Sequence, residues 1–267
     1  MADDPIPAIT EAEATGATAA IFADIRAVYR VGVVNLIWRH LATIPDALPW
    51  AWGAIRPLYI DGTIVQAARL FRTGLEQPRL PLVPPEVFTA LDLTPTDLTR
   101  IRDVLAAYDR TNSMALIALT TLHTPGRGVS GLLPRGALAP DETIALPVLT
   151  PIDAMPPPVA ALVLRLNRFG SDRPDPILAS MYRHLSHWPA YLGLAWAALA
   201  PLHESRVLHA ALAATAERAR VVAAGIPVSG DPPPGARAAI APFIDDVLPK
   251  MIAICGMLRA MTTARDA

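Results

Sequence analysis

The chain has 267 residues, of which 52% are hydrophobic and 18% charged, and its net charge is −1. That balance excludes a disordered chain and leaves no basic footprint for nucleic acid or an anionic membrane surface. The single cysteine, Cys255, excludes an intrachain disulfide and a cysteine-based metal site.

Residues 1–16 form an N-terminal extension beginning "MADDPIP", acidic and without an apolar core, so no signal peptide is expected and a cytoplasmic location is the default. The longest apolar runs, "YLGLAWAALAPL" and "MIAICGML", fall short of the roughly 20 residues that span a bilayer, so no membrane association is expected. The segment "RHLATIPDALPWAWGAIRPL" (39–58) then introduces the main feature of the sequence. It matches "RHLSHWPAYLGLAWAALAPL" (183–202) at an offset of 144, with ten identities in 20 ungapped positions, including a tryptophan and two prolines. A weaker match sets residues 108–122 over 243–257 at an offset of 135.

The next clear element is a helix over 94–123. Thr94 reads as its N-cap, Pro95 as its first helical residue, and Asp97 lies in the first turn. Its apolar stripe runs Leu98, Ile101, Leu105, Tyr108, Ala115, Leu119 and Leu122 in steps of three and four, interrupted at Asn112. An amide at that place is expected to be buried. It is either bonded to the backbone of a neighbouring helix or presented to a ligand.

Residues 124–158 hold eight prolines and read as an extended connector. Within it, "GRGVSG" (126–131) lacks the Gly-Lys-Ser/Thr ending of a phosphate-binding loop. A second helix is expected over 204–225, with Gly225 just past its end. The last helix has an apolar face of Ile240, Phe243, Val247, Met251, Ile254 and Leu258. Asp246 and Lys250, four apart, read as a solvated pair, and Asp245 as surface. The six histidines show no metal-ligand spacing, so no metal is expected. Arg39, His40, Arg183 and His184 recur in both copies and read as architecture. The rival role for them is an Arg–His pair that binds a carboxylate. Of the aromatic residues, Trp38 and Tyr182 are candidate pocket wall.

Together these features predict an all-α protein. Two homologous helical repeats, 17–123 and 159–263, pack as a pseudo-dimer with a pocket between them, joined by the 124–158 linker. Whether the protein is a homo- or hetero-oligomer stays open.

The stretches "IFADIRAVYRVGVVNLIWRHLATIPDALPWAW" (21–52), "VLAAYDRTNSMALIALTTL" (104–122), "ASMYRHLSHWP" (179–189) and "FIDDVLPKMIAICGML" (243–258) resemble the group I, non-stereospecific 2-haloacid dehalogenases. The resemblance implies an all-α fold of two repeats with a site between them, and hydrolysis of the carbon–halogen bond of a small organic acid without cofactor. In that family an aspartate activates water and an asparagine helps hold it. The asparagine falls on Asn112 and the aspartate on Met181, which has no basic site. Other pocket positions fall on Val33, Leu36, Ser180 and Ile240, with Asn35 a polar residue nearby. Asp172 and Asp175 precede Met181, but moving either into its place destroys the Arg-His-Leu-x-x-x-Pro register.

The resemblance therefore implies direct displacement at the carbon of a small 2-substituted acid, other than by ordinary water-activated dehalogenation. One alternative is intramolecular ring closure, in which the nucleophile belongs to the substrate. Another is a non-catalytic binding protein or an inactive partner subunit. A third keeps hydrolysis and assigns the base to Asp24, Asp109 or His187.

Overall fold

A computed structural model describes residues 6–124 and 144–262. The segment "GRGVSG" and most of the first half of the proline-rich connector lie outside the described residues. So do the first five residues, with the acidic N-terminus. The described chain is all-α. Its helices are α1 (Gly16–Tyr29), α2 (Leu36–Leu41), α3 (Ala47–Ile60), α4 (Thr63–Thr73), α5 (Pro85–Ala90) and α6 (Pro95–His123). They continue with α7 (Pro157–Arg168), α8 (Ser180–Leu185), α9 (Pro189–Glu204), α10 (Val207–Ala223), α11 (Ala236–Pro242) and α12 (Leu248–Thr262). A 3₁₀ turn at Ile152–Ala154 and a π turn at Phe243–Val247 complete the described elements. The only β-type pairing among the described residues is an isolated parallel bridge between Val31 and Ile144.

Local chemistry accounts for several of these boundaries. Thr94 and Asp97 form a full capping box at the start of α6. The Asp97 amide donates to Thr94 Oγ1 at 3.1 Å, and the Thr94 amide donates to an Asp97 carboxylate oxygen at 3.1 Å. Pro57 and Pro201, paired in the sequence match, both fall in the last turn of their helices, α3 and α9. There a missing amide costs one hydrogen bond and the helix ends within four residues. Gly225 follows α10 as expected, yet it is not among the glycines with left-handed φ.

The hydrophobic core is in two parts, and neither belongs to one half of the sequence. The first packs α1–α4 against the C-terminal half of α6, together with Ile240, Phe243, Val247 and Leu248. The second packs α7–α9 against the N-terminal half of α6 and the rest of α12. The long helix α6 and the α11–α12 pair thus cross from one core to the other, and the α6–α12 contact is the most extensive between any two elements. This explains why α6 is buried all round from Ala107 to Leu122. Even so, no helix among the described residues is long and apolar enough to cross a membrane.

Lys250 departs from the expected solvated pair. It is fully buried, and its ammonium donates to the Asn167 carbonyl in the last turn of α7 at 3.0 Å. Burial pulls its pKa below the usual lysine value, and Asp246 only partly opposes this. The reason is the π turn, which rotates the face carrying Ile240 relative to the face carrying Lys250 and Met251. Asp245 behaves as expected, exposed and bonded to Arg220 at 2.7 Å.

Candidate functional site

A cavity of about 580 Å³ opens where the two cores meet. It is lined by residues of both halves of the sequence: Leu36 and Ile37 of α2, Ser180 and Met181 of α8, Tyr108 and Asn112 of α6, and Phe243 and Val247 of the π turn. Thr10 and Glu11 of the N-terminal extension and Leu146, Leu149, Pro151, Ile152 and Asp153 of the connector also reach the cavity.

Of the seven positions singled out in the sequence, six line this cavity: Val33, Asn35, Leu36, Asn112, Ser180 and Met181. Ile240 does not. It is fully buried in the first core, and Phe243, Val247, Leu248 and Met251 take that wall instead. That position was implied by the family resemblance, and it fails here because Ile240 lies on α11, ahead of the π turn, and packs into the first core. Trp38 and Tyr182 are likewise core residues and not cavity wall.

Asn112 is 4% exposed, and its Oδ1 accepts a hydrogen bond from Asn35 Nδ2 at 3.1 Å. The partner is therefore a second amide at the N-terminus of α2, not a helix backbone. The bond spans α2 and α6 and fixes both amides at the wall. Met181 is wholly buried on the adjoining wall, and the Cys255 thiol lies 3.0 Å from its sulfur. Burial raises the Cys255 thiol well above its ordinary pKa, with the Asp109 charge adding to this. The sulfur pair is therefore neutral and soft, with nothing in it that takes a proton from water.

The polar side of the cavity is built from the repeated motif. Arg39 Nε donates to the Val34 carbonyl at 3.3 Å, and Arg183 Nε donates to the Thr150 carbonyl at 3.0 Å. Each guanidinium is thus tethered at the wall by the same atom. The histidines next to them diverge. His40 is bonded through Nδ1 to the Pro7 carbonyl at 2.7 Å and is not part of the wall. His184 is 1% exposed, lies on the wall, and shares a 2.8 Å hydrogen bond between Nδ1 and the Tyr108 hydroxyl. Burial holds its imidazole neutral, with a pKa pulled down to about 4. His187 and Arg183 push in the same direction, and the Pro147 carbonyl opposes them.

Two carboxylates lie on the wall, and both are placed away from a reacting centre. Glu11 pairs with Arg26 and accepts from the Val34 amide at 2.8 Å. Asp153 is exposed at the rim. The other candidate bases lie elsewhere. Asp24 accepts from Trp52 Nε1 at 2.7 Å and from Arg56 Nε at 2.6 Å. Asp109 bridges Arg72 at 3.5 Å and Arg259 at 2.9 Å. His187 is exposed and bonds the Val148 carbonyl at 2.8 Å. None of the three lines the cavity. Among the described residues, no three His, Cys, Asp or Glu side chains gather as a metal site.

Sequence reasoning took Arg39, Arg183 and His184 for architecture and did not find Tyr108 as a wall residue. The signal that separates His184 from His40 is tertiary, because the local sequences are the same. Glu11 and the connector residues carried no signal at all.

This helical plan is that of the 2-haloacid dehalogenases. A D-2-haloacid dehalogenase mutant superposes with a TM-score of 0.71 at 17% identity, covering 98% of each chain. A D-2-haloacid dehalogenase in complex with L-LA gives 0.71 at 18% identity, again covering 98% of both chains. A mutant complexed with D-2-CPA gives 0.66 at 18% identity, covering 98% of this chain and 96% of the other. The neighbours are thus named for the D enantiomer, whereas the sequence resemblance was to the non-stereospecific group. No family model matches the sequence, and no curated protein matches it either.

Proposed function

We propose that the cavity takes a small organic acid with a leaving group at carbon 2, and that the chain promotes direct displacement at that carbon without a water-activating carboxylate at position 181. The observation that carries this reading is Met181, wholly buried and lining the same cavity as Asn112, at the position that resembles the family aspartate. A thioether has no site basic enough to deprotonate water. The two wall carboxylates are committed to an ion pair or to the rim. Arg39 and Arg183 supply the positive charge for the acid's carboxylate. The names of the structural neighbours support the substrate class.

The nucleophile that fits such a site belongs to the substrate itself, and the product is a ring. Most of the cavity wall is apolar, so its contribution is to hold a near-attack geometry and exclude water. The halves 17–123 and 159–263 are read here as homologous repeats that meet across this cavity.

The test compares halide release from D- and L-2-chloropropionate with release from 5-amino-2-chloropentanoate, whose amine can close a five-membered ring. The native protein should leave chloropropionate near background, because the missing base forgoes about 10²–10⁴-fold in rate. It should accelerate the ring closure above the spontaneous rate. Met181→Asp should raise chloropropionate turnover. Strong chloropropionate turnover by the native protein would overturn the reading. Binding of both acids with no turnover of either would instead assign the chain as a binding protein.

A further inference from the structure

We propose that Tyr108 and His184 together form the proton acceptor of this cavity, Tyr108 meeting the substrate and His184 positioned behind it. The proposal rests on the displacement reading above and names the residues that serve it.

The first support is an asymmetry inside a repeat. Positions 40 and 184 are equivalent in the strong internal match, and positions 108 and 243 in the weaker one. In the structure these positions pair across the halves. The rings of His40 and Phe243 lie 6.1 Å apart, and those of His184 and Tyr108 lie 5.6 Å apart. The same ring pair therefore occurs twice, once with a phenyl and once with a phenol. Packing alone is satisfied without a hydroxyl, as the His40–Phe243 pair demonstrates. The hydroxyl is present in the copy whose histidine also lines the cavity.

The second support is the hydrogen-bonding of that copy. Tyr108 and His184 are 9% and 1% exposed, and Oη and Nδ1 are 2.8 Å apart. Among the described residues, His184 Nε2 has no well-formed hydrogen bond. The Pro147 carbonyl is a further polar neighbour of this ring. Burial, and after it Cys255, raise the Tyr108 hydroxyl well above its ordinary range, so it rests protonated, and Arg39, Ser180 and Arg183 only partly offset this.

An amine or hydroxyl of the substrate attacks carbon 2. The carbon–nucleophile bond forms, and the carbon–halogen bond breaks with its electron pair leaving on the halide. The proton shed by the nucleophile passes to Tyr108 Oη, and the tyrosine's own proton moves to His184 Nδ1. The imidazolium so formed later returns its proton to solvent. This direction requires the tautomer in which Nε2 carries the hydrogen, the one that the Pro147 carbonyl supports. Arg39, Arg183, His187, Tyr108 and Cys255 are the charged and titratable groups packed near the ring, with Glu11 and Asp153 farther along the wall.

The experiment measures halide release from 5-amino-2-chloropentanoate by the native protein, Tyr108→Phe and His184→Gln. In parallel, the full chain labelled with ¹⁵N-histidine is titrated with propionate. Tyr108→Phe copies the pair already present at His40–Phe243, so its folding is safeguarded by precedent in the same molecule. The expected result is a loss of about 10²–10⁴-fold in kcat for Tyr108→Phe, with KM within threefold. His184→Gln should fall similarly. Propionate should shift the His184 ring nitrogens and raise the residue's pKa. If Tyr108→Phe turns over at the native rate, the relay is wrong and the displacement reading stands. If the native protein releases no halide above background, the displacement reading fails and the nuclear-resonance titration decides alone. There, His184 signals unmoved at saturating propionate overturn the proposal, and an upward shift in pKa supports it.

Discussion

Replacing His184 by glutamine should change the pH dependence of stability in a defined window. His184 is 1% exposed, and its folded-state pKa is pulled from 6.5 to about 4. Between those values the unfolded chain binds a proton that the folded chain refuses. The stability contributed by a neutral His184 is therefore complete above about pH 6.5 and is lost as pH falls toward 4. A depression of roughly 2.5 units at 1.36 kcal/mol each gives about 3 kcal/mol, lost with a slope of at most ~1.4 kcal/mol per pH unit. His184→Gln removes that titration together with the Tyr108 hydrogen bond, the latter worth about 1 kcal/mol. The native protein should thus be the more stable of the two at pH 7.5 and the less stable at pH 4.5. Parallel urea titrations across this range measure the difference, in which the other histidines and the carboxylates cancel. A native-minus-variant difference that stays constant to within about 0.5 kcal/mol would show that the folded protein does not exclude the proton from this ring.

Two further outcomes follow from the geometry. Asp109→Ala strips the carboxylate from between Arg72 and Arg259, whose side chains are 28% and 44% exposed; burial raises the Asp109 carboxyl by more than the two guanidiniums lower it, so the loss should be only about 1 kcal/mol. Chemical denaturation reads this directly, and an unchanged midpoint would place the pair's contribution at nil. A double-mutant cycle of Asn35→Ala and Asn112→Ala should return a coupling of about 1 kcal/mol for the 3.1 Å amide–amide bond. Strict additivity would show that the two side chains do not hold one another.

How far the sequence reaches into this structure depends on the range of the interaction. The α6 boundaries were legible because a capping box, an N-terminal proline and a three-and-four apolar rhythm are all local. Asn112 was legible as a break in that rhythm, and its burial followed from the break. Met181 and Ser180 were reached through the family resemblance, with the register of the Arg-His-Leu motif holding Met181 in place. What escaped is tertiary. His40 and His184 share their neighbours in sequence, and only the chain packed against each separates their surroundings. Glu11 reaches the wall because the Val34 amide and Arg26 draw the N-terminal extension over α2, contacts 23 and 15 residues distant. Lys250 was misplaced because the π turn ahead of it has no signature in the apolar spacing, and Ile240 because a position implied by the resemblance lies in the first core here.

That π turn also changes what a deletion would do. Removing one residue from an ordinary α-helix breaks its register with everything it packs against. Removing one residue from Phe243–Val247 returns the segment to α-helical phase and joins α11 and α12 in one helix, kinked where Pro242 and Pro249 supply no amide. The shortened helix cannot satisfy both cores at once, because Ile240 belongs to the first and Met257 and Leu258 to the second. Whichever core keeps its contacts, the other end of the helix turns a new face to its neighbours, and Phe243 and Val247 leave the cavity wall or Lys250 leaves the Asn167 carbonyl. The extra residue thus acts as the swivel that allows one long helix to serve two interiors, and chain length in this segment is under tighter constraint than residue identity.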